Sequence, residues 1–288
     1  MACPECLETA ANDSSYMAFR VENYVSVERL LSSCATHGDC RSKMHCTAPA
    51  DFISDPVHPI GNLMDRRGKD TWTVFKIMGE FVEGFETLRD CWPSVSVFGG
   101  ARVRRGNPIY RDAVEIGESL SHAGFTVITG GGPGIMEAAN VGARRGPHDS
   151  VGLNIRLPFE QEANAHTDKL VNFNYFFARK VMFVKYACGI VGMPGGFGTM
   201  DEIFEALTLV QTRKIHRMPV VLYGTEYWSG LIDWMSERMV AEKMIAKRDL
   251  KLFRVTDDRD EVVDIMVRHL QRLKRRGELN QEMDRETP

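Results

Sequence analysis

The sequence predicts an α/β fold built on a doubly wound parallel sheet. From residue 94 to residue 273, short apolar segments rich in β-branched residues alternate with segments of about 10–15 residues that have helical periodicity. Such alternation is typical of βαβ units, whose strands run parallel. Glycine-rich turns follow three of the predicted strands, at residues 99–100, 130–134 and 195–198. Because ligands bind beyond the carboxyl ends of parallel strands, these turns predict one shared ligand site.

Each predicted element rests on its own local pattern. The predicted strands are residues 94–98, 125–129, 151–155, 170–173, 189–193, 219–222 and 252–255. The predicted helices are residues 71–91, 108–123, 135–144, 176–186, a helix that starts near residue 199, then 228–240 and 261–273. The first of these helices has an apolar face that predicts packing against a large surface: Val74, Phe75, Met78, Phe81, Val82, Phe85 and Leu88. The whole pattern predicts a Rossmann-like doubly wound sheet with an N-terminal helical extension.

Composition argues against several classes of partner. The formal net charge is −3 at pH 7, which gives no electrostatic footprint for nucleic acid or for an anionic membrane. No apolar run approaches the roughly 20 residues that span a bilayer. The N-terminus lacks both a basic start and an apolar core segment, so no secretory signal is expected. We therefore expect a cytoplasmic protein that binds neither nucleic acid nor membrane.

Three regions follow from these patterns. Residues 1–70 are weakly patterned and predict a weakly ordered extension, with a short helix near residues 21–32. Residues 71–275 predict the nucleotide-binding catalytic domain, and residues 276–288 a charged, solvated tail. The extension holds candidate zinc ligands, but their irregular spacing favours an extension without metal: Cys3, Cys6, Cys34, His37 and Cys40. Cys91 and Cys188 adjoin predicted buried strands and are interpreted as core residues.

The most informative stretch is residues 188–205, which read CGIVGMPGGFGTMDEIFE. A buried strand, a glycine loop and a helix start aim free backbone N–H groups and the positive end of the helix dipole at an anion. Glycine lets the backbone approach phosphate oxygens and adopt positive φ. The stretch therefore predicts a phosphate-binding loop. A structural alternative is a capping box, in which Thr199 caps the helix and Glu202 reaches back to it.

Two common nucleotide-binding motifs are not present. The dinucleotide motif G-x-G-x-x-G fails because Glu137 stands where its third glycine would be. No Gly-Lys-Ser/Thr follows any glycine run, so a Walker A loop is excluded. What remains is a site for one phosphate, with Arg179, Lys180 and Glu202 within reach. On spacing alone, Arg179 is equally well interpreted as an ordinary surface cation.

Several spaced motifs together resemble the LOG family of cytokinin-activating phosphoribohydrolases, whose members have often been labelled lysine decarboxylases. Residues 194–202, PGGFGTMDE, resemble the PGGxGTxxE motif of that family. Residues 130–137 resemble its second glycine motif, residues 178–180 its Arg-Lys pair, and residues 97–101 its first strand and turn. The resemblance covers about residues 90–245. The long N-terminal extension and Glu137-Ala138-Ala139-Asn140 are similar to the longer bacterial-type subgroup.

The resemblance implies hydrolysis of the N-glycosidic bond of a nucleoside 5′-monophosphate, such as AMP or isopentenyladenosine monophosphate. Free base and ribose 5-phosphate would be the products. It implies Arg179 and Glu202 as catalytic residues, with Glu202 facing the sugar. It also implies substrate-binding residues: Gly99, Gly130, Gly131, Gly132, Gly134, Met136, Lys180, Gly195, Gly196, Gly198, Thr199 and Thr208. Glu160, Gln161 and Asn164 are further candidates to cover the base.

The resemblance implies no metal or organic cofactor, and the sequence gives no signal for a Schiff-base lysine. It implies a homo-oligomer, at least a dimer, and large apolar residues near the site suggest the surface: Phe176, Phe177, Met182 and Phe183. Two alternatives stay open. One is a non-catalytic nucleotide or molybdenum-cofactor carrier on the same fold, and the other is an assembly module whose active part is the cysteine-rich extension.

Overall fold

Seven parallel strands form one sheet in this computed structural model, which describes residues 67–157 and 163–277, with side chains from Trp72 onward. The strands are β1 (Ser94–Phe98), β2 (Thr126–Thr129), β3 (Ser150–Ile155), β4 (Lys169–Phe173), β5 (Ala187–Gly192), β6 (Val220–Tyr223) and β7 (Phe253–Thr256). Their order is β4-β3-β2-β1-β5-β6-β7, and every neighbouring pair is parallel. The predicted doubly wound sheet is confirmed.

Helices cover both faces of this sheet. They are α1 (Arg67–Leu88), α2 (Pro108–His122), α3 (Ile135–Ala143), α4 (Phe176–Lys185), α5 (Phe197–Gln211), α6 (Thr225–Trp234) and α7 (Arg259–Arg275). Helices α2, α3 and α7 share one apolar core with the sheet, and α1, α4, α5 and α6 share the other. The strands β1, β2, β3, β5 and β6 are buried along their whole length, which explains why they read as continuous apolar runs. Cys91 and Cys188 are buried, as predicted.

The order in which the chain adds strands to the sheet reverses between β1 and β5. From β1 the chain adds β2, β3 and β4 on one side, and it then crosses to add β5, β6 and β7 on the other. In doubly wound sheets a crevice opens at such a point, beyond the carboxyl ends of the two strands. The turn after β1 carries Gly99 and Gly100, and the turn after β5 carries the glycines at 195–198. The topology therefore places two of the three predicted glycine turns at the edges of one crevice.

Helix α1 departs from its prediction, because much of its apolar face is exposed. Phe81 is half-buried and Leu88 is buried, but the other members of the face are exposed: Val74, Phe75, Met78, Val82 and Phe85. Helix α1 instead approaches α4 through Gly84, where an added Cβ would lie 2.7 Å from Cε of Met182. The prediction that this whole face packs on a large surface is wrong within the described part of the chain.

Several boundaries also differ from prediction. The helix predicted over residues 228–240 begins earlier and ends at Trp234, where a π-helical segment, Met235–Val240, replaces it. Helix α7 continues to Arg275, beyond its predicted end at residue 273. A short 3₁₀ helix, Lys247–Lys251, has no counterpart in the predicted elements. The interpretations of the cysteine-rich extension, of Glu160 and Gln161, and of the tail beyond residue 277 lie outside the described residues. No helix in the described ranges has the length and apolarity to cross a bilayer.

Candidate active site

A cavity of about 890 Å³ opens at the carboxyl ends of β1 and β5. Most of the residues predicted for the site line it: Gly99, Gly130, Met136, Arg179, Gly195, Gly196, Gly198, Thr199 and Glu202. They come from four separate segments of the chain, which the reversal between β1 and β5 brings together. The remaining wall is largely apolar, with aromatic side chains of Phe98, Phe176 and Phe183. A mostly apolar cavity with a few convergent polar groups is typical of a small-molecule site.

The floor of this cavity includes the start of helix α5. Its first intrahelical bond runs from Met200 N–H to the carbonyl of Gly196, so the amides of Phe197, Gly198 and Thr199 have no acceptor within the helix. No side chain caps this end, because Gly196 is the N-cap. A Cβ added to Gly196 or Gly198 would meet nothing within 4 Å. The backbone is therefore open to a ligand, as an anion site requires.

The capping-box interpretation of Thr199 and Glu202 is wrong. Helix α5 starts at Phe197, so Thr199 is its third residue and does not cap it. Both side chains are buried at 7% exposure, and both line the cavity. Glu202 is therefore directed inward, toward the cavity.

Two further contacts fix the glycine loop in place. The N–H of Gly100 donates to the carbonyl of Pro194 at 2.9 Å, which joins the turn after β1 to the turn after β5. The hydroxyl of Tyr227, on α6, donates to the carbonyl of Gly195 at 2.5 Å. A Cβ at Gly195 would lie 2.8 Å from the Gly100 nitrogen and closer still to the Thr199 hydroxyl. The loop is thus held rigidly, with its open positions directed at the cavity.

The glycine loop after β2, residues 130–134, contains positive φ angles, which the loop at residues 195–198 lacks. Gly131 has φ +68° and Gly134 has φ +70°, and a Cβ at Gly134 would lie 2.3 Å from the carbonyl oxygen of Gly100. Asn164 holds the loop from behind, since its backbone N–H donates to Gly131 O at 2.7 Å and its side-chain amide to Gly132 O at 3.0 Å. In this structure Asn164 supports the loop, whereas we predicted that it covers a base.

Arg179 is an interior residue, so its interpretation as a surface cation is wrong. Its side chain is 13% exposed, and its guanidinium lies 5.2 Å and 5.4 Å from the ring centroids of Phe176 and Phe183. One of its terminal nitrogens is 3.5 Å from Oε1 of Glu202. Burial lowers the pKa of Arg179, and the charge of Glu202 opposes this shift. Its buried Nε has no hydrogen-bond partner within the protein.

Glu202 is the most perturbed carboxyl group of the site. Burial raises its pKa most, the cations Lys180 and Arg179 lower it, and the carboxylates of Asp201 and Glu205 raise it, so that the pKa of Glu202 lies at about 7. At neutral pH both protonation states are therefore populated. A group with that property, in a cavity and beside an arginine, is suited to move a proton.

Lys180 forms an ion pair with Glu202 although it does not line the cavity. Its ammonium is 2.8 Å from Asp201 and from Glu205, and 3.9 Å from Oε2 of Glu202. Burial alone would lower the pKa of Lys180, but its hydrogen bonds to Asp201 and Glu205 outweigh burial, and the pKa is raised. Lys180 is thus a charged, fixed cation that ties α4 to α5.

Some predicted binding residues lie away from the cavity surface. Gly131, Gly132 and Gly134 are buried behind it and shape the glycine loop after β2. Thr208 is exposed on α5 and donates its hydroxyl to the carbonyl of Phe204. These positions, like Lys180, are not among the residues that line the cavity.

Three lining residues with polar side chains were not among those predicted: Arg102, Asn154 and Tyr227. Arg102 lies two residues after the glycine turn at 99–100, and Asn154 is a polar residue within an otherwise apolar predicted strand, so both carried a signal in the sequence. Tyr227 carried none, because only the fold brings α6 to the loop. Within the described residues, no group of three or more His, Cys, Asp or Glu side chains is arranged to hold a metal ion.

Fold and site together define a doubly wound α/β protein with an open glycine loop at a helix start and a buried arginine–glutamate pair in the same cavity. A family model described as "Possible lysine decarboxylase" matches residues 136–266. The resemblance to the LOG family is confirmed by the curated relatives that the chain matches, which carry that family's name in plants and the same activity name in a bacterium.

Two of these relatives illustrate the level of similarity. The chain is 28% identical over 153 residues to the cytokinin riboside 5′-monophosphate phosphoribohydrolase LOG of Oryza sativa subsp. japonica, and the alignment covers 52% of this chain and 62% of that protein. It is 29% identical over 124 residues to the cytokinin riboside 5′-monophosphate phosphoribohydrolase of Mycobacterium marinum, covering 42% and 66%. In both cases the chain spans less than two thirds of the relative's length.

Among solved structures, the molybdenum cofactor carrier protein of Chlamydomonas reinhardtii is similar at 22% identity and a TM-score of 0.45. The alignment covers 62% of this chain and 99% of that chain. A similarity of this size does not bear on what this chain binds.

Proposed function

We propose that the protein hydrolyses the N-glycosidic bond of a nucleoside 5′-monophosphate, releasing the free base and ribose 5-phosphate. The observation that carries this proposal is the placement of two unlike features in one cavity. Free backbone amides at the start of α5 suit a phosphate, and the buried Arg179–Glu202 pair suits proton transfer. The names of the relatives at 28% and 29% identity support the same reaction.

The proposed binding mode separates the two negative charges. The 5′-phosphate lies against the amides of Phe197, Gly198 and Thr199, where the helix dipole stabilises it. Glu202 is one turn further along α5, so its carboxylate reaches the sugar and avoids the phosphate. The apolar and aromatic wall accommodates the base.

The chemistry follows from this arrangement. As the bond between C1′ and the base nitrogen breaks, its electron pair leaves with the base and positive charge develops on the ribose. The Glu202 carboxylate stabilises that charge and accepts a proton from the water that adds to C1′. The proton is then returned to the departing base, so that one water is consumed for each base released. Only the ionised carboxylate accepts a proton, and the rate should therefore fall as pH drops through about 7.

Arg179 has two roles in this proposal. Its charge opposes the rise in the pKa of Glu202 and so keeps part of that carboxyl group ionised near neutral pH. Its guanidinium, on a residue that lines the cavity, supplies a hydrogen-bond donor for the substrate or for the departing base. No step requires a metal or an organic cofactor.

The proposal predicts free base from purified full-length protein incubated with AMP, with equimolar ribose 5-phosphate. A chromatographic assay over AMP, GMP, CMP, UMP and isopentenyladenosine monophosphate would rank the five bases. Isopentenyladenine is the cytokinin among them. Adenosine is the matched control, since it lacks only the phosphate. Its kcat/KM should be lower than that of AMP by about 100-fold or more. Tight binding of these nucleotides without release of base would instead indicate a carrier.

We also propose that the protein is a homo-oligomer, at least a dimer. Half of the predicted association surface is wrong, because Met182 and Phe183 are fully buried. The other half, Phe176 and Phe177, is 50% exposed, and α1, which packs beside α4, carries further exposed apolar side chains: Trp72, Val74, Phe75, Met78 and Val82. An exposed apolar surface of this kind marks an interaction site.

Light scattering after size exclusion should therefore give a mass of at least about twice the 32.5 kDa of one chain at micromolar concentration. Phe75→Glu, which places a charge on the exposed face, should lower that mass. A mass of one chain for the unaltered protein would contradict the proposal.

A further inference from the structure

Glu80 is a buried carboxylate that the catalytic cavity does not use. It lies on α1, is 7% exposed, and is outside both the cavity lining and the region matched by the family model. Burying a charged carboxylate is costly unless its oxygens accept hydrogen bonds. Glu80 accepts three: from the backbone N–H of Asn174 at 2.9 Å, from the Asn174 side-chain amide at 2.7 Å, and from the backbone N–H of Tyr175 at 3.2 Å.

These donors lie at the beginning of helix α4. Tyr175 is the N-cap of α4, and its own side chain makes no capping hydrogen bond. Glu80 therefore accepts, from a separate helix, the N-cap N–H that the third helical residue accepts in a capping box. A negative charge at this end also complements the helix dipole. The close contact of Gly84 with Met182 fixes the same two helices one turn further along.

Arg179 is directly coupled to this helix start. Its backbone N–H donates to the carbonyl of Tyr175, the residue whose own N–H donates to Glu80. The Arg179 guanidinium then reaches to 3.5 Å from Glu202, and Lys180, the next residue, ties α4 to α5. The direction in which α4 leaves its cap therefore decides where both cations lie relative to Glu202.

We propose that Glu80 is a positioning residue for the arginine–glutamate pair. By accepting the N–H groups of Asn174 and Tyr175, it sets the start of α4 and so holds Arg179 and Lys180 against Glu202. The inference rests on the proposed function for its kinetic consequences, but the contacts themselves do not depend on it. Glu80 touches neither the glycine loop nor the cavity, so nucleotide binding through the phosphate should not require it.

Glu80→Gln is the direct test, because the amide keeps the size of the side chain but cannot accept on both of its terminal atoms. In AMP hydrolysis, kcat should fall about 10- to 100-fold while KM stays within about twofold. The acidic limb of the pH–rate profile should also move up by about half a pH unit. The charged groups that set this limb are Arg179 and Lys180 on α4 and Asp201 and Glu205 on α5, and only the α4 pair moves in the variant.

Leu88→Val is the matched control, since it trims a fully buried residue of the same helix that takes no part in the hydrogen bonds to Asn174 and Tyr175. It should lower the melting temperature and leave kcat and the acidic limb unchanged. If Glu80→Gln shows the same pattern as this control, Glu80 is merely structural and the inference is overturned.

Hydrogen exchange separates this inference from the proposed function. In Glu80→Gln the amides of residues 174–180 should exchange faster than in the unaltered protein and in Leu88→Val, whether or not AMP is hydrolysed. Unaltered protein that releases no base would contradict the proposed function alone. Unchanged exchange at these amides would overturn the role of Glu80 alone.

Discussion

Glu202→Gln should lose most base release and still bind AMP. The amide has nearly the shape of the carboxylate but cannot accept the proton of water or offset positive charge on the ribose. We expect kcat to fall by about 10²–10⁴-fold, the range typical of a lost general base. The phosphate contacts lie on backbone amides, so the dissociation constant for AMP should change little. Single-turnover chromatography and calorimetric titration measure the two quantities separately.

The pH dependence of the same variant adds a second test. The unaltered protein should lose activity as pH falls through about 7, where Glu202 takes up a proton. The glutamine variant cannot titrate there, so its residual rate should lack that limb. Glu226→Gln is the matched control, because it removes an exposed carboxylate from the first turn of α6, and it should keep the rate and the limb. An equal rate in Glu202→Gln and the unaltered protein would remove Glu202 from the mechanism.

Stability should change in the opposite direction to activity. Because the folded-state pKa of Glu202 is raised, the folded protein binds a proton that the unfolded chain has lost between about pH 4.5 and about 7. Stability from this group is therefore present at low pH and falls as pH rises through that range. At pH 8 the free energy of unfolding of Glu202→Gln should exceed that of the unaltered protein by on the order of 3 kcal/mol at most, and its melting temperature should be higher. At pH 5 both differences should be much smaller.

The sequence predicted those parts of the fold and site that depend on local patterns. The strand–glycine–helix stretch at 188–205 and the alternation of elements sufficed for a parallel sheet and for a shared crevice at Gly99, Gly130 and Gly195. Arg102 and Asn154 also stood in recognisable places, after a glycine turn and inside an apolar strand. In these cases the residue and its partners lie on elements whose order the alternation already implies.

The errors involve competition between patterns or contacts far apart in the chain. Thr199 and Glu202 satisfy the spacing of a capping box, but glycine at 196 lets α5 begin three residues earlier. The apolar face of α1 indicated burial, yet periodicity does not say which chain covers a face. Glu80 meets Asn174 across 94 positions, and no local pattern announces such a contact. These are interactions that only the assembled sheet creates.

Gly196→Ala and Gly198→Ala should fold normally and bind AMP poorly. Both positions are open, so neither added methyl meets another atom of the protein within 4 Å, and neither glycine has a positive φ. Alanine at 198 lies within α5 and should even stabilise the helix by about 0.5–1 kcal/mol. In the complex, however, the methyl would occupy space that a phosphate needs to approach the amides. The dissociation constant should rise about 10- to 100-fold, corresponding to roughly 1.5–3 kcal/mol of lost charged hydrogen bonding.

Gly230→Ala provides the matched control, because Gly230 lies within helix α6 and is equally open, but it does not line the cavity. It should raise the melting temperature and leave AMP binding as it is. The three variants together separate helix propensity from ligand access, since all gain a methyl group and only two should lose affinity. If Gly196→Ala and Gly198→Ala bind AMP as tightly as Gly230→Ala, the phosphate does not lie at the start of α5. Glu202 would then have to reach the sugar from a different binding mode, and its one-turn separation from the loop would have no role in catalysis.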